Sequence, residues 1–482
     1  MKGKKILSTL LALLLLANLP VSALAADWDI GNGDITVNAG SGGQTVTQGS
    51  QVDVPDSAPV ITGSSTENNV GIHVEKDQTA NVILSGVNID VSGPRIAAVY
   101  MTGEGNVSIE LDGDSTLKSG SAHAGLEKNN GGSLTITDED KNGKLTAEGG
   151  EYGAGIGGGS QGTGSDITIS GGEVKATGGA FGAGIGGGNR GTGSDITISG
   201  GEVNATGGAY GAGIGGGNRG TGSNITISGG EVKATGSSYG AGIGGGSQGT
   251  GSDITISGGE VNASGGVNGA GIGGGLRGKG KDITVSGDAK LKVQGGVEDN
   301  YDGAGAGIGN GGSNADGSPV PGAEVEPDTS GLTTGRIEYY APGADMETDK
   351  PTSTTVGASS QPEKPIDPGA ERGADAPLYR VTDQDGKDIA HKAERKDGVL
   401  TVTVDADFAI LTGKLSSIDT LKRQGIEKIV FVTNKAASTF QAADLLEKGA
   451  SSDEYRLTHD GATVTFVVSE KKTDVSGILI QP

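Results

Sequence analysis

The string GAGIGGG at residues 153–159 decides how this chain of 482 residues folds. It returns unchanged at residues 182–188, 211–217, 240–246 and 269–275, and a shortened copy, GAGIGN, starts at Gly305. The sequence between copies is nearly constant, so that GTGSDITISGGEVKATGG at 162–179 becomes GTGSDITISGGEVNATGG at 191–208. A fixed period of 29 residues indicates a solenoid, in which each unit buries its apolar side against its neighbours.

The period inside one unit identifies the kind of solenoid. Apolar residues alternate with polar residues or glycine at Ile167–Ile169, Val174–Ala176 and Ala183–Ile185. This two-residue period is that of β-strands, and the glycine-rich segments between them suit tight corners. The absence of a 3.6-residue period excludes the helical repeats. Three short strands per unit predict an all-β fold, a parallel β-helix with coils about 4.8 Å apart, and parallel crossovers favour the right-handed form.

Four columns of aliphatic side chains should stack in the interior of this β-helix, since equivalent residues of successive coils lie in register. The columns are Ile167, Ile196, Ile225, Ile254 and Ile283; Ile169, Ile198, Ile227, Ile256 and Val285; Val174, Val203, Val232 and Val261; and Ile156, Ile185, Ile214, Ile243 and Ile272.

The remaining sequence divides around these repeats. Residues 26–312 are assigned to the β-helix, with irregular N-terminal coils and a cap before the regular repeats begin at about 153. Frequent prolines predict a linker over 313–376. Residues 377–482 predict a small α+β domain, with helices at 416–424 and 439–448 and a capping box formed by Ser438 and Gln441.

The N-terminus and the composition predict the compartment. Lysines before an apolar run and an Ala-Leu-Ala site make residues 1–25 a predicted signal peptide. A secreted protein that is extracellular or attached to a cell surface is therefore expected, with no membrane span after cleavage. The chain has no cysteine, which excludes disulfides, and its formal net charge of −23 disfavours a nucleic-acid partner.

A carboxylate row is the first candidate binding site. One outward-facing glutamate per coil is predicted at Glu173, Glu202, Glu231 and Glu260. Like charges at strand spacing repel one another, so the row would attract cations or sugar hydroxyls. A solvated face that keeps the protein soluble is the alternative interpretation.

Aromatic residues directly before the GAGIGGG strings are the second candidate. Tyr152, Phe181, Tyr210 and Tyr239 form a row whose rings could stack on sugars. Tyr152 has the same parity as Ile156, which favours a stack of rings in the core, although a turn before the string would leave the outward orientation open.

A third candidate is a calcium loop at residues 138–143, where Asp138, Asp140 and Asn142 fit the start of the pattern D-x-[DN]-x-[DN]-G. The twelfth position is Gly149 rather than glutamate, and no helices flank the segment. An acidic turn between two strands is the alternative, and calcium is the one cofactor that the sequence suggests.

The repeat GAGIGGG–ITISGG–V–ATGG over about residues 80–310 resembles that of secreted bacterial proteins, mostly from Firmicutes, labelled carbohydrate-binding-domain-containing. The resemblance implies a right-handed, pectin-lyase-like β-helix and a partner such as an extracellular polysaccharide or cell-wall glycan. The tail segments YRVTDQDGKDI, LEKG and LTHDG resemble a C-terminal module of similar surface proteins.

These observations predict a non-catalytic carbohydrate-binding or adhesion protein. Catalysis needs one asymmetric site, whereas the coils are nearly identical and none of the four histidines lies in the regular repeats. Two alternatives stay open. One is a structural stalk that spaces the C-terminal module from a surface, and the other is an enzyme similar to polysaccharide lyases.

Overall fold

The computed structural model describes residues 26–299, 302–313, 320–357 and 379–472, the last range with gaps at 385–386, 388, 397, 424–425, 447–452, 462 and 469–470. They form two compact units, one on each side of residues 358–378. The predicted signal peptide lies outside the described residues. The first unit is the right-handed parallel β-helix that the repeat predicts.

Three sheets, here called A, B and C, run along the solenoid because each coil contributes one strand to each of them. The strands of sheet A are Asp27–Asp29, Val60–Thr62, Thr79–Ser85, Asn106–Asp112, Leu134–Thr137, Gly164–Ile169, Gly193–Ile198, Gly222–Ile227, Gly251–Ile256 and Gly280–Val285. Those of sheet B are Ile35–Gly40, Gly43–Gln48, Gln51–Pro55, Val70–Val74, Val99–Gly103, Leu126–Lys128, Ile156–Gly157, Ile185–Gly186, Ile214–Gly215, Ile243–Gly244, Ile272–Gly273 and Ile308–Gly309. Those of sheet C are Ser64–Ser65, Asn88–Asp90, Asp114–Lys118, Lys144–Glu148, Glu173–Thr177, Glu202–Thr206, Glu231–Thr235, Glu260–Ser264, Lys290–Gln294, Arg336–Tyr340 and Ser353–Val356.

The predicted aliphatic columns form the core. Ile167 pairs with Ile196, and Ile169 pairs with Ile198, in parallel register. The register continues through every regular coil, and all members of the four columns are buried. The strand period and the coil period together therefore predicted the interior of the solenoid correctly.

Antiparallel strands close both ends of the stack. At the N-terminus, Ile35–Gly40 pairs in parallel with Val70–Val74, while Gly43–Gln48 and Gln51–Pro55 continue the sheet in antiparallel orientation. A short 3-10 helix at Ile30–Asn32 also belongs to this first coil. Such irregular ends cover strand edges that would otherwise offer free backbone groups to another chain.

Part of the predicted linker belongs to the C-terminal end of the solenoid, so this prediction was wrong. Residues 313–376 were assigned to a linker because of their prolines, but Arg336–Tyr340 pairs in parallel with Lys290–Gln294 and Ser353–Val356 adds an antiparallel strand. Ile337 is fully buried in the solenoid core. Prolines outside these strands leave the backbone pairing intact, so the segment 320–357 caps the β-helix.

The second unit contains two sheets and two helices, which agrees with the predicted α+β domain. Its five-stranded sheet consists of Arg380–Thr382, Phe408–Lys414, Glu454–Asp460, Thr463–Val468 and Lys471–Lys472. Its four-stranded sheet consists of Lys392–Lys396, Val399–Thr403, Lys428–Val432 and Ala437–Gln441. The helices are Leu415–Arg423 and Ala442–Leu446.

The first helix confirms the prediction at 416–424, but the second begins later than predicted. Ser438 was expected to cap a helix over 439–448, whereas it lies in the strand Ala437–Gln441, which pairs with Lys428–Val432. Burial of Phe440 on this strand outweighs the local capping pattern. The expected helix stops at Gly425 and Gly449 lie outside the described residues.

A buried histidine joins the two sheets of the second unit. His459 is fully buried, and its ring nitrogens contact the hydroxyls of Ser438 at 2.8 Å and Thr433 at 3.2 Å. Its ring lies 4.8 Å from that of Phe431. Burial lowers the pKa of His459 from 6.5 to about 4, since a charged imidazole would be poorly solvated there.

A charge in an isoleucine column should destabilise the solenoid. Ile198→Asp places an unpaired carboxylate between Ile169 and Ile227, and we expect a loss of about 3–5 kcal/mol in the free energy of unfolding. The control is Thr197→Asp on the outer face of the same strand, which should cost less than about 1 kcal/mol. Denaturant unfolding followed by circular dichroism measures both, and equal stabilities would contradict this assignment of the core.

Acidification should destabilise the C-terminal unit. Because the folded pKa of His459 is lower than the unfolded value of 6.5, its contribution is complete above pH 6.5 and decreases as the pH falls towards 4. The loss is at most about 1.4 kcal/mol per pH unit. Calorimetry of the full chain should show a C-terminal transition whose fall over this range is reduced in His459→Gln. An unchanged pH dependence in that variant would show that other groups cause it.

Candidate functional site

The aromatic row lies in turns outside the core. Tyr152, Phe181, Tyr210 and Tyr239 are each half-buried, whereas Ile156 is fully buried. The favoured prediction of a core stack is therefore wrong, because a turn at Glu151 and Tyr152 interrupts the strand and the parity argument does not apply across it.

The rings of this row stack on one another. Neighbouring centroids are 5.2, 5.0 and 5.4 Å apart, with interplanar angles of 5°, 6° and 32° along the row. Both faces of Phe181 and of Tyr210 thus contact another ring. A sugar approaching these two residues meets ring edges and a hydroxyl rather than a free aromatic face, and the stack itself stabilises the turns.

The glutamate row lies on sheet C in parallel register, as its spacing predicts. Glu173 pairs with Glu202, Glu202 with Glu231, and Glu231 with Glu260. Glu173 is half-buried and the other three are exposed. A second outward column two residues on contains Lys175, Asn204, Lys233 and Asn262.

Lysines terminate the glutamate row at both ends. Lys144 occupies the glutamate position in the preceding coil and forms an ion pair with Glu173, which raises the pKa of Lys144. Lys290 occupies it in the following coil, 4.0 Å from Glu260. Glu202 and Glu231, in the middle of the row, form no ion pair with a residue in the described part of the chain. Asn204 donates a hydrogen bond to Glu202 at 3.2 Å, and the remaining acceptor positions of these two exposed carboxylates can bind a ligand.

A polar groove lies beside this row, at the corner where the chain passes from sheet A to sheet C. Its polar lining includes Asp114, Asp138, Asn142, Glu173 and Glu202. The structure therefore brings together two candidate sites that the sequence places apart, the glutamate row and the acidic turn at 138–143. Lys141, Lys144 and the corner glycines Gly171, Gly172 and Gly201 also line it.

In the acidic turn, the aspartate carboxylates accept hydrogen bonds from groups of the same turn. Asp138 accepts hydrogen bonds from the amides of Asn142 and Gly143, both at 3.2 Å. Asp140 accepts from the Asn142 side chain at 2.5 Å, and burial raises the pKa of Asp140. The side-chain oxygen of Asn142 accepts from the amide of Gly113 at 3.0 Å. Within the described residues, no group of three or more His, Asp or Glu side chains is arranged to hold a metal ion.

The glycine strings are closed to ligands. All residues from 153 to 159 are buried. A Cβ added to Gly157, whose φ is +128°, would lie 2.1 Å from the carbonyl oxygen of Gly186, and one added to Gly158 would lie 2.1 Å from that of Gly162. Backbone of the next coil fills the space beside Gly157 and backbone of the following turn fills that beside Gly158, so glycine is needed for packing rather than for ligand access.

A buried charged cluster in the coil before the regular repeats was missed by the sequence reasoning. Glu127, in register with Gly157, is buried and lies 2.8 Å from the His123 ring. It also accepts from the Ala124 amide at 2.9 Å and from Asn129 at 2.5 Å. Neighbouring Lys128 is buried as well, and burial lowers its pKa. The signal in the sequence is the replacement of the glycine string by AGLEKNN.

Calcium removal tests the third candidate site. Because Asp138, Asp140 and Asn142 already form hydrogen bonds within the turn, we expect a chelator to leave the thermal unfolding curve unchanged. Bound calcium would instead raise the melting temperature by mass action. Asp140→Asn serves as the control, since it should abolish any calcium-dependent shift. A calcium-dependent rise that Asp140→Asn removes would establish the metal site.

Comparison with known families supports the architecture. A family model described as "Beta helix repeat" matches residues 141–160, 167–189, 196–218, 225–247 and 254–276. Comparisons with curated proteins and with solved structures find no match. In the described part of the chain, no helix is long and apolar enough to cross a membrane. The matched segments are the regular coils, and the chain is a parallel β-helix protein whose repeats are similar to those of this family.

Proposed function

We propose that the protein is a secreted, non-catalytic binding or adhesion protein whose solenoid presents a repetitive face to an extended polysaccharide. The observation that carries this proposal is the outer surface of sheet C, where Glu202 and Glu231 repeat in register without an ionic partner in the described part of the chain. Carboxylates accept hydrogen bonds from sugar hydroxyls, and they are strong acceptors when ionised.

Equivalent coils suit a polymer better than a small ligand. Parallel strands repeat at about 4.8 Å, a distance comparable with the length of one sugar in an extended chain. Weak contacts at successive coils then add through effective concentration. The groove beside the row, lined by Glu173, Glu202 and the turn at 138–143, provides a concave edge along which a chain can lie.

The expected location supports the same partner class. The predicted signal peptide at 1–25 would direct the protein out of the cell, where extended polysaccharides are abundant. The resemblance to secreted bacterial proteins labelled carbohydrate-binding-domain-containing agrees with this partner. Repetition of the same side chains in each coil argues against one catalytic site on sheet C and thus against an enzyme similar to polysaccharide lyases.

A structural stalk is the second candidate, and the closed glycine strings favour it. Residues 153–159 are buried, mostly against the backbone of neighbouring coils, and Phe181 and Tyr210 contact neighbouring rings with both faces. These two surfaces are built for packing between coils, which a spacer requires. A stalk needs no ligand on sheet C.

Removal of two coils separates the two functions. Deleting residues 182–239 removes two whole units, and because Gly240 is equivalent to Gly182, joining it to Phe181 leaves the repeat sequence continuous. If the coils bind a polysaccharide, affinity for long chains should fall by about tenfold or more, while affinity for short oligosaccharides should change little. Binding to a polysaccharide found on a glycan array is measured by calorimetry. A full-length chain that binds no glycan on the array leaves the stalk as the function.

Matched substitutions locate the binding face. Glu202→Gln with Glu231→Gln should weaken binding, because it removes the two central carboxylates of the row. Asp195→Asn with Asp253→Asn removes the same charge from sheet A and uses the residue found at the equivalent Asn224. Equal effects of the two pairs would contradict a site on sheet C. Tyr210→Ala with Tyr239→Ala tests whether the edges of the aromatic row contribute.

A further inference from the structure

A column of long polar side chains occupies the tips of the turns that follow the glycine strings in sequence. We call it the turn-tip column, and its members are Gln161, Arg190, Arg219, Gln248 and Arg277. Backbone hydrogen bonds hold the tips in register. The amide of Gln161 donates to the Asn189 carbonyl at 2.9 Å, and that of Arg190 donates to the Asn218 carbonyl at 2.8 Å.

All five residues of the turn-tip column adopt the left-handed backbone region. Their φ angles are 64°, 62°, 60°, 62° and 60° in chain order. This region favours glycine and, to a smaller extent, asparagine and aspartate. The chain places glycine at many neighbouring positions, yet it carries arginine or glutamine here in these five coils and Ser313, with a φ of 66°, at the equivalent position of the next coil. Conformational strain retained at five equivalent positions indicates a use for the side chains.

Two arginines of the column, Arg190 and Arg219, are accessible to a ligand. Arg190 and Arg219 are exposed, and neither forms an ion pair with a carboxylate in the described part of the chain. Arg277, at the end of the column, is held by Asp302 at 3.1 Å. On the adjoining strands of sheet A, Asp195 accepts a hydrogen bond from the Asn224 side chain instead of pairing with an arginine.

We propose that the turn-tip column is a binding site for a polysaccharide that carries carboxylate groups. A guanidinium group donates two parallel hydrogen bonds to a carboxylate, and the amide of glutamine both donates to and accepts from hydroxyls. The order Gln, Arg, Arg, Gln, Arg along the column thus matches a polymer that presents acids among hydroxyls. The net charge of −23 opposes any polyanion, so attraction depends on the local guanidinium groups, and a nucleic acid is the polyanion that the experiment must distinguish from a polysaccharide. This site lies in different turns from the glutamate row and does not depend on binding at sheet C.

The chain itself supplies the substitutions that test this site. Arg190→Gln with Arg219→Gln introduces the residue already present at the equivalent positions 161 and 248. The control, Lys175→Asn with Lys233→Asn, removes the same two positive charges from sheet C and introduces the residue present at 204 and 262. Both double variants should keep the melting temperature of the parent chain.

Binding of the full chain to polygalacturonate is compared with binding to its fully methyl-esterified form, which is neutral, and to duplex DNA. We expect the parent to prefer polygalacturonate, the arginine pair of substitutions to lower that affinity by about tenfold or more, and the lysine pair to change it by less than about twofold. Equal losses in the two variants, equal binding of the esterified polymer, or binding of DNA as strong as that of polygalacturonate would each overturn the proposal. So would failure of the parent to bind polygalacturonate, whatever is found for glycans on sheet C.

Discussion

Backbone hydrogen bonds between successive coils are the interaction on which the rest of this structure depends. In the solenoid, each strand pairs with its counterpart one coil away, and the turns pair as well, as when the amide of Gly158 donates to the Gly186 carbonyl at 2.8 Å. This ladder satisfies polar groups that would be costly to bury unpaired. It also imposes a severe constraint, because successive coils this close leave no room for a Cβ at Gly153 or Gly157. Much of the glycine content follows from this close approach of neighbouring backbones.

A ladder with one register also stacks equivalent residues of successive coils in columns, and several of these columns are uniform. Ile169, Ile198 and Ile227 stack inside, and on the outside glutamate meets glutamate and threonine meets threonine. Inside the core, this repetition is favourable because identical aliphatic side chains pack at a constant spacing. Outside, it aligns like charges, and the exposed surface must tolerate them. Each additional coil thus adds one more equivalent contact for a ligand and one more repulsion between like charges.

The sequence predicted what depends on period and alternation. The isoleucine columns, the three strands per coil and the outward glutamate row follow from residues that lie within strands, where parity holds. Predictions failed where a turn intervenes. Tyr152 lies outside the core because the chain turns before Gly153. Ser438 and the segment 336–340 show the other cause, since strand pairing at long range outweighs a local capping pattern or a high proline content. The sequence did not predict the turn-tip column for a related reason. Only the φ angle distinguishes Arg190 from an ordinary exposed arginine, and the φ angle is set by the turn.

The ends of the glutamate row show how the fold limits the electrostatic cost of repetition. At the glutamate position, the coil before the row carries Lys144 and the coil after it carries Lys290, so each terminal carboxylate has a cation beside it. Glu202 and Glu231 have glutamates on both sides, which concentrates the unfavourable charge in the middle of the row. A ligand that donates hydrogen bonds gains most at these two residues, since it relieves repulsion as well as forming contacts. The lysines thereby confine the carboxylates without an ionic partner to the central coils of sheet C. In the described part of the chain, the same coils carry Arg190 and Arg219, which also form no ion pair, on their turns.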